Sequence, residues 1–245
     1  MKNTSSFYTR DTARNRQQYF ASKSAVNDST QIFIDTAIKS LDNASPQRIL
    51  DLGTGNGYIA KTLNDLAAKN NIDVEIYAID LSDVMLEQAN EYCKGAKNIH
   101  IEKRDNNATG FEDNYFDVVV AKNVTAFSPE EIYRVLKVGG KMILKEYGKG
   151  KGLLEITELF PGRVSSNSVE ATVEDFRKYP WKHIRYTQYF YTSKMSKEDV
   201  KDTLAIAPII DSFSWATDEK AINDLFRDDN TITITSDPWI LYAEK

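Results

Sequence analysis

A chain of 245 residues is long enough for one α/β domain with a sizeable core, and 41% hydrophobic with 27% charged residues excludes a disordered composition. A formal net charge of -5 and a pI near 5.2 exclude a protein-wide positive field of the kind that gathers phosphate backbones. One cysteine, Cys93, allows neither an internal disulfide nor a CxxC zinc pair and reads as a half-buried helical thiol in a reducing cytoplasm, and no apolar run approaches the ~20 residues that span a bilayer.

Residues 1–25 are polar, with Arg10, Arg14 and Arg16 among Tyr8, Tyr19 and Phe20, and read as a mobile or helical arm. From Asp28, the spacing of Ile32, Phe33, Ala37, Ile38 and Leu41 predicts a helix that Pro46 ends. Apolar runs then alternate with amphipathic segments. RILDLG precedes a helix over about 57–70, VEIYAID precedes one over about 83–93, and IHIEKRD and FDVVVAKN follow. A short helix near 129–136 leads into KMILKEY. Ile- and Val-rich strands separated by helices predict parallel βαβ units with helices on both faces of one sheet, five strands being complete by residue 147.

Beyond that point the chain is less regular. GKGKG at 148–152 and Pro161-Gly162 mark turns, HIRYTQYFYT alternates as an outer strand, and helical patterns lie around 196–206 and 217–227. TITITSDPWILYAEK reads as a hairpin or as a strand bulged at Asp237-Pro238, because Pro238 has no N–H for a ladder.

The motif with most chemical content is DLGTGNG, with Gly53, Gly55 and Gly57 after the first strand. A dinucleotide fingerprint would need its third glycine at the place of Tyr58, and no GK[ST] follows for a triphosphate loop. What remains is a turn whose backbone can approach a ligand without phosphate. Asp80 ends the second strand, where a carboxylate can accept from ribose hydroxyls, with Leu81 beside it. Asp105 ends the third, where it can accept from an adenine amino group.

The succession DLGTGNG, IYAIDLS, KRDNN, FEDNYFDVVVAKN, RVLKVGGKMIL resembles the class I S-adenosylmethionine-dependent methyltransferases of the small-molecule type, over about residues 45–147. The resemblance implies a Rossmann-like, seven-stranded, mostly parallel sheet with helices on both faces and an antiparallel last strand, within a single domain over 1–245. S-Adenosylmethionine is then the cofactor and S-adenosylhomocysteine the product. By similarity, Asp51, Gly53, Thr54, Gly55, Asn56 and Gly57 border the methionine moiety, Asp80 and Leu81 the ribose side, Asp105 and Asn106 the adenine, and Lys122 to Val124 the mouth of the site. The family varies its acceptor cover in two places, which implies a helical lid over 1–45 carrying Tyr8 and Tyr19 toward the substrate and a variable cover over 148–182.

In-line methyl transfer mainly requires positioning and, for some acceptors, removal of a proton. Asn123 after strand four can orient an acceptor. Glu146 and Tyr147 stand on the carboxyl edge of strand five, where Glu146 can act as base or recognise a cationic acceptor, or else pair with Lys145. His100 and His183 read as structural, and no metal is expected, since no second acidic residue joins Asp105 at the end of strand four. The leading expectation is O- or N-methylation of a small molecule. The alternatives are an RNA base methyltransferase, on a loose C-terminal likeness to ribosomal RNA guanine methyltransferases and on basic runs such as GKGKG and RKYPWKHIR, and a non-catalytic S-adenosylmethionine-binding protein.

Overall fold

The computed structural model describes residues 28–43, 46–124, 126–164, 168–227 and 229–245. The N-terminal arm expected over 1–25, with Tyr8 and Tyr19, lies outside them.

The expected alternation forms. Helix α1 (Asp28–Lys39) precedes β1 (Gln47–Leu52), α2 (Tyr58–Lys69), β2 (Val74–Asp80), α3 (Asp83–Tyr92), β3 (Ile99–Lys103), β4 (Phe116–Lys122), α4 (Pro129–Val135) and β5 (Leu136–Tyr147). After β5 come α5 (Leu154–Thr157), α6 (Val169–Arg177), β6 (His183–Gln188), β7 (Tyr191–Ser196), α7 (Lys197–Ile206), α8 (Trp215–Phe226), β8 (Thr231–Ser236) and β9 (Pro238–Glu244). Serines set several helix starts by accepting a backbone N–H. Ser82 caps α3, Ser128 caps α4 ahead of Pro129, Ser168 caps α6, Ser214 caps α8, and Ser196 forms a reciprocal capping box with Asp199 on α7. Each cap contributes about 1 kcal/mol.

Seven strands form one sheet in the order β3-β2-β1-β4-β5-β9-β6. The pairs from β3 to β5 are parallel, and β9 is antiparallel to both β5 and β6, as the resemblance implied. Helices α1 and α2 cover one face, where Phe33, Ile34, Ile59 and Leu63 meet Ile49, Ile76, Val118 and Ile143. Helices α4 and α6 cover the other, where Ile132, Val173 and Phe176 meet Leu50, Val119 and Leu144. The central strands β1 and β4 are buried on both faces, which explains their near-continuous apolar runs.

The C-terminal third departs from expectation in two places. HIRYTQYFYT is two strands, because the chain leaves the main sheet after Gln188 and Tyr191 starts a second ladder. TITITSDPWILYAEK is neither a hairpin nor a bulged strand. Its first half pairs with β7 in a two-stranded sheet and its second half is β9, with Pro238 at a strand start that needs no donor. Earlier in the chain, the VGG at 138–140 lies inside β5, where the register against β4 shifts between Phe116 and Val118. The small sheet, α7, α8 and residues 153–160 bury a third apolar cluster around Ile156, Phe160, Val200, Ile222, Phe226 and Ile234.

Candidate functional site

The order of strands reverses between β1 and β4, and in an open α/β sheet the crevice at the carboxyl ends there is where ligands bind. DLGTGNG leaves β1 at this point. Gly53, Gly55 and Gly57 all have positive φ, so the turn is left-handed at alternate residues and then starts α2 at Tyr58. The three differ in surroundings. A Cβ on Gly53 would lie 3.1 Å from Val124, which follows β4, and 3.4 Å from Asn106 Nδ2, which follows β3. One on Gly57 would lie 2.8 Å from Cys93 Sγ, so this glycine lets the start of α2 pack on the end of α3. One on Gly55 would meet nothing within 4 Å, so its outer side is open.

The acidic residues tie this turn to its neighbours. Asp51 is buried and its Oδ2 accepts from the Thr54 hydroxyl at 2.7 Å. Burial pushes the Asp51 carboxyl up to about 7 and Asp80 adds to the rise, while the Thr54 hydroxyl and the Lys122 ammonium act against it. Asp80 accepts from Gly55 N through Oδ2 at 3.0 Å and from Ser82 N through Oδ1 at 2.9 Å. Each oxygen keeps a further lone pair for a ligand hydroxyl. Leu81 stands 49% exposed beside it, an apolar surface at the rim. Asn56 accepts from Tyr58 N at 3.3 Å. Asp105 is exposed, and one of its oxygens receives both the backbone and the side-chain N–H of Asn107.

Two buried acceptors at this edge have no partner among the described residues, Asn106 Oδ1 and Asn123 Oδ1. Asn106 is held by its amide donating to Ala126 O at 3.2 Å. Asn123 has φ 54, a left-handed conformation that asparagine tolerates, and its N–H donates to Lys145 O at 2.9 Å. An orphaned buried carbonyl costs about 1–3 kcal/mol, and a donor on a bound molecule removes that cost.

Lys145 and Glu146 do not pair with each other. Successive strand residues point to opposite faces, so Glu146 accepts from Val124 N at 2.5 Å on the face of α4 and α6, while Lys145 lies on the face of α1 and α2. Burial pushes the Glu146 carboxyl up to about 7, against the pull of the Val124 N–H and of Lys145. The Tyr147 ring lies 4.3 Å beneath Lys145 Nζ. His100 pairs with Glu75 at 2.5 Å and His183 is exposed on β6, both away from the glycine turn.

The basic runs have internal uses. In RKYPWKHIR, Arg177 pairs with Glu174, Lys178 with Asp175 and Lys182 with Glu244. GKGKG wraps the buried Asp237 carboxylate, which accepts from Gly150 N at 2.7 Å and Gly152 N at 2.9 Å. From the sequence, Asp237 reads only as a strand break and Lys145 only as an alternative partner of Glu146. A lysine amid the apolar alternation of KMILKEY was the available signal for one. For the other, nothing local tells that a carboxylate 85 residues away needs those glycines.

Residues 43–225 match the sequence profile of a family described as a methyltransferase domain. Phosphoethanolamine N-methyltransferase 2 of Caenorhabditis elegans is 34% identical over 124 residues, 47% of this chain and 27% of that protein. The ubiquinone/menaquinone biosynthesis C-methyltransferase UbiE of Proteus mirabilis is 30% identical over 112 residues, 42% of this chain and 43% of that protein. The chain covers between 24% and 27% of the length of the phosphoethanolamine N-methyltransferases it matches from worm, thale cress and wheat. Among solved structures, the YcgJ protein of Bacillus subtilis superposes with TM-score 0.64 at 16% identity, over 88% of this chain and 98% of that one. Phosphoethanolamine N-methyltransferase 2 of Haemonchus contortus, in complex with phosphomonomethylethanolamine and S-adenosylhomocysteine, superposes with TM-score 0.61 at 21% identity, over 100% of this chain and 60% of that one.

Proposed function

We propose that this chain, which belongs to the methyltransferase domain family, transfers a methyl group from S-adenosylmethionine to oxygen or nitrogen of a small-molecule acceptor. The observation that carries the reading is the convergence at one edge of Gly55 with an open side, Asp80 with spare lone pairs, exposed Leu81 and the orphaned carbonyl of Asn106. These suit a nucleoside: hydroxyls on Asp80, an apolar base face on Leu81, and an exocyclic amino group on Asn106 or the free oxygen of Asp105. Asp51, Thr54 and Lys122 lie on the side left for the methionine end. The names of the phosphoethanolamine N-methyltransferase and UbiE relatives support a small acceptor.

The cofactor supplies an electrophilic methyl on a sulfonium, and the chain's work is to hold two molecules in line and exclude water. Asn123 orients the acceptor through its free carbonyl, which is competent to receive an N–H or O–H. Glu146 stands behind it, fixing the Val124 backbone and ready to hold a proton near neutral pH. Tyr147 walls the pocket at the end of β5. Residues 148–164 and 168–182 cover the acceptor, and the single, buried cysteine suits a cytoplasmic setting.

Transfer of labelled methyl from S-adenosylmethionine into a cell extract, fractionated into small molecules, RNA and protein, tests the reading. Label is expected in the small-molecule pool and absent with Asp80→Ala. Calorimetry should show that variant binding S-adenosylhomocysteine about tenfold or more weakly. Unchanged affinity in a folded variant would remove Asp80 from the site, and label in RNA would move the acceptor to nucleic acid.

A further inference from the structure

Three places in this half of the molecule are built to hold an anion, and two are filled from within. The Arg163 fork is taken by Asp218, with both guanidinium nitrogens at 2.9 Å from its oxygens. The glycine loop at 148–152 is taken by Asp237. The third is Lys145. It is 0% exposed, and its Nζ has no acceptor among the described residues.

The position is central. Lys145 aligns with Lys122 of β4 on one side and Ile240 of β9 on the other. Its Nζ lies over the ring of Tyr147, two residues on along the same face, so the ammonium leans toward the carboxyl edge, where the candidate site lies. Among the described residues no carboxylate forms an ion pair with it. Lys122 repels it, Glu146 attracts it only from the opposite face while bound to Val124 N, and Asp51 is bound to the Thr54 hydroxyl and acts on Lys122. Burial, with Lys122, pushes the Lys145 ammonium down to about 7. A leucine or methionine would fill this volume without desolvating a charge. Among the described residues the ammonium touches the Tyr147 ring and donates no hydrogen bond.

We infer that Lys145 receives an anionic group, a carboxylate or a phosphate, carried by the methyl acceptor, so that the molecule methylated here is an acid or a phosphate ester. This deepens the reading of the site as a methyltransferase and rests on it. An oxyanion at Nζ gives the ammonium its missing partner, draws a proton onto it when the amine is neutral, and anchors one end of the acceptor beside Tyr147 while the other faces Asn123.

The test follows the lysine itself. Protein with 13C-labelled lysine, loaded with S-adenosylhomocysteine, is titrated with inorganic phosphate and, separately, with acetate, and the Lys145 Cε signal is assigned by its loss in Lys145→Met. A saturable shift of that signal is expected with at least one of the two anions, together with a titration midpoint moved upward from about 7, and which anion acts separates a phosphate ester from a carboxylic acid. Calorimetry should show Lys145→Met binding that anion about thirtyfold more weakly while it binds S-adenosylhomocysteine like the wild type and is at least as heat-stable. Lys149→Ala, on the exposed neighbouring loop, should bind the anion as the wild type does. Absence of a saturable response to both anions, or equal anion binding by Lys145→Met, overturns the proposal. Should S-adenosylhomocysteine fail to bind the wild type, the methyltransferase reading falls instead, and the anion titrations on the free protein still decide the role of Lys145.

Discussion

Gly55 and Gly57 share a left-handed backbone and differ in what surrounds them, so they separate two reasons for a glycine. At Gly57 a methyl group meets Cys93 Sγ at 2.8 Å and Ala89 Cα at 3.2 Å, at φ 80. Gly57→Ala should therefore cost about 2–5 kcal/mol of stability, strain and overpacking together. At Gly55 the added methyl meets nothing, so Gly55→Ala should cost about 1–2 kcal/mol from the backbone alone, yet weaken cofactor binding by filling the open side. Urea unfolding with calorimetry on both variants checks this, and a larger stability loss at Gly55 would reverse the assignment. The sequence showed three glycines in a row of alternates and the failure of two phosphate-loop patterns. It could not show which glycine faces a helix and which faces the ligand, because the partners, Cys93 and Ala89, are more than 30 positions away.

At the level of elements, the alternation over residues 28–136 was legible because each strand and helix carries its own period and each helix its own stop. The β6 to β9 region was not, because which sheet a strand joins is decided by pairing across the chain. TITIT and WILYA look alike locally, and only the Asp237-Pro238 junction separates their sheets. That junction is fixed by the glycine loop. Asp237 N–H partners at Gly150 and Gly152 and its own carbonyl, accepting from Gly148 N at 2.9 Å, clamp residues 148–152 to the start of β9. A Cβ on Gly148 would lie 2.7 Å from Asp237 Oδ2, which is why the loop is built of glycine. Asp237→Ala leaves two buried N–H groups unpaired and should cost about 2–5 kcal/mol, with faster proteolysis in 148–152. Wild-type resistance of that loop in the variant would show that the carboxylate does not hold it.

Across the whole molecule, two buried ionisable groups, Asp51 and Lys145, and the partly buried Glu146 make stability depend on pH in a distinctive way. Asp51 and Glu146 keep their protons in the folded state up to about 7, whereas the unfolded chain releases them near its ordinary carboxylate range, so stability falls as pH rises through that window. Lys145 releases its proton in the folded state near 7, whereas the unfolded chain holds it to about 10, so stability rises again above neutrality. The free protein should have a stability minimum near pH 7, on the order of a few kcal/mol below its values at about pH 5 and about pH 9. Urea midpoints across that range test it: Asp51→Asn should flatten the acid limb and Lys145→Met the alkaline limb, and a maximum at neutrality would contradict the assignment. The order of strands has one more consequence. β6 has only β9 as a neighbour in its sheet, and β9 is last in sequence yet sits between β5 and β6. While a ribosome is still making the chain, β1 to β5 can assemble as they emerge, but β6 waits with both edges unpaired until β9 slides in between it and β5, so this sheet is completed only after translation has passed β9.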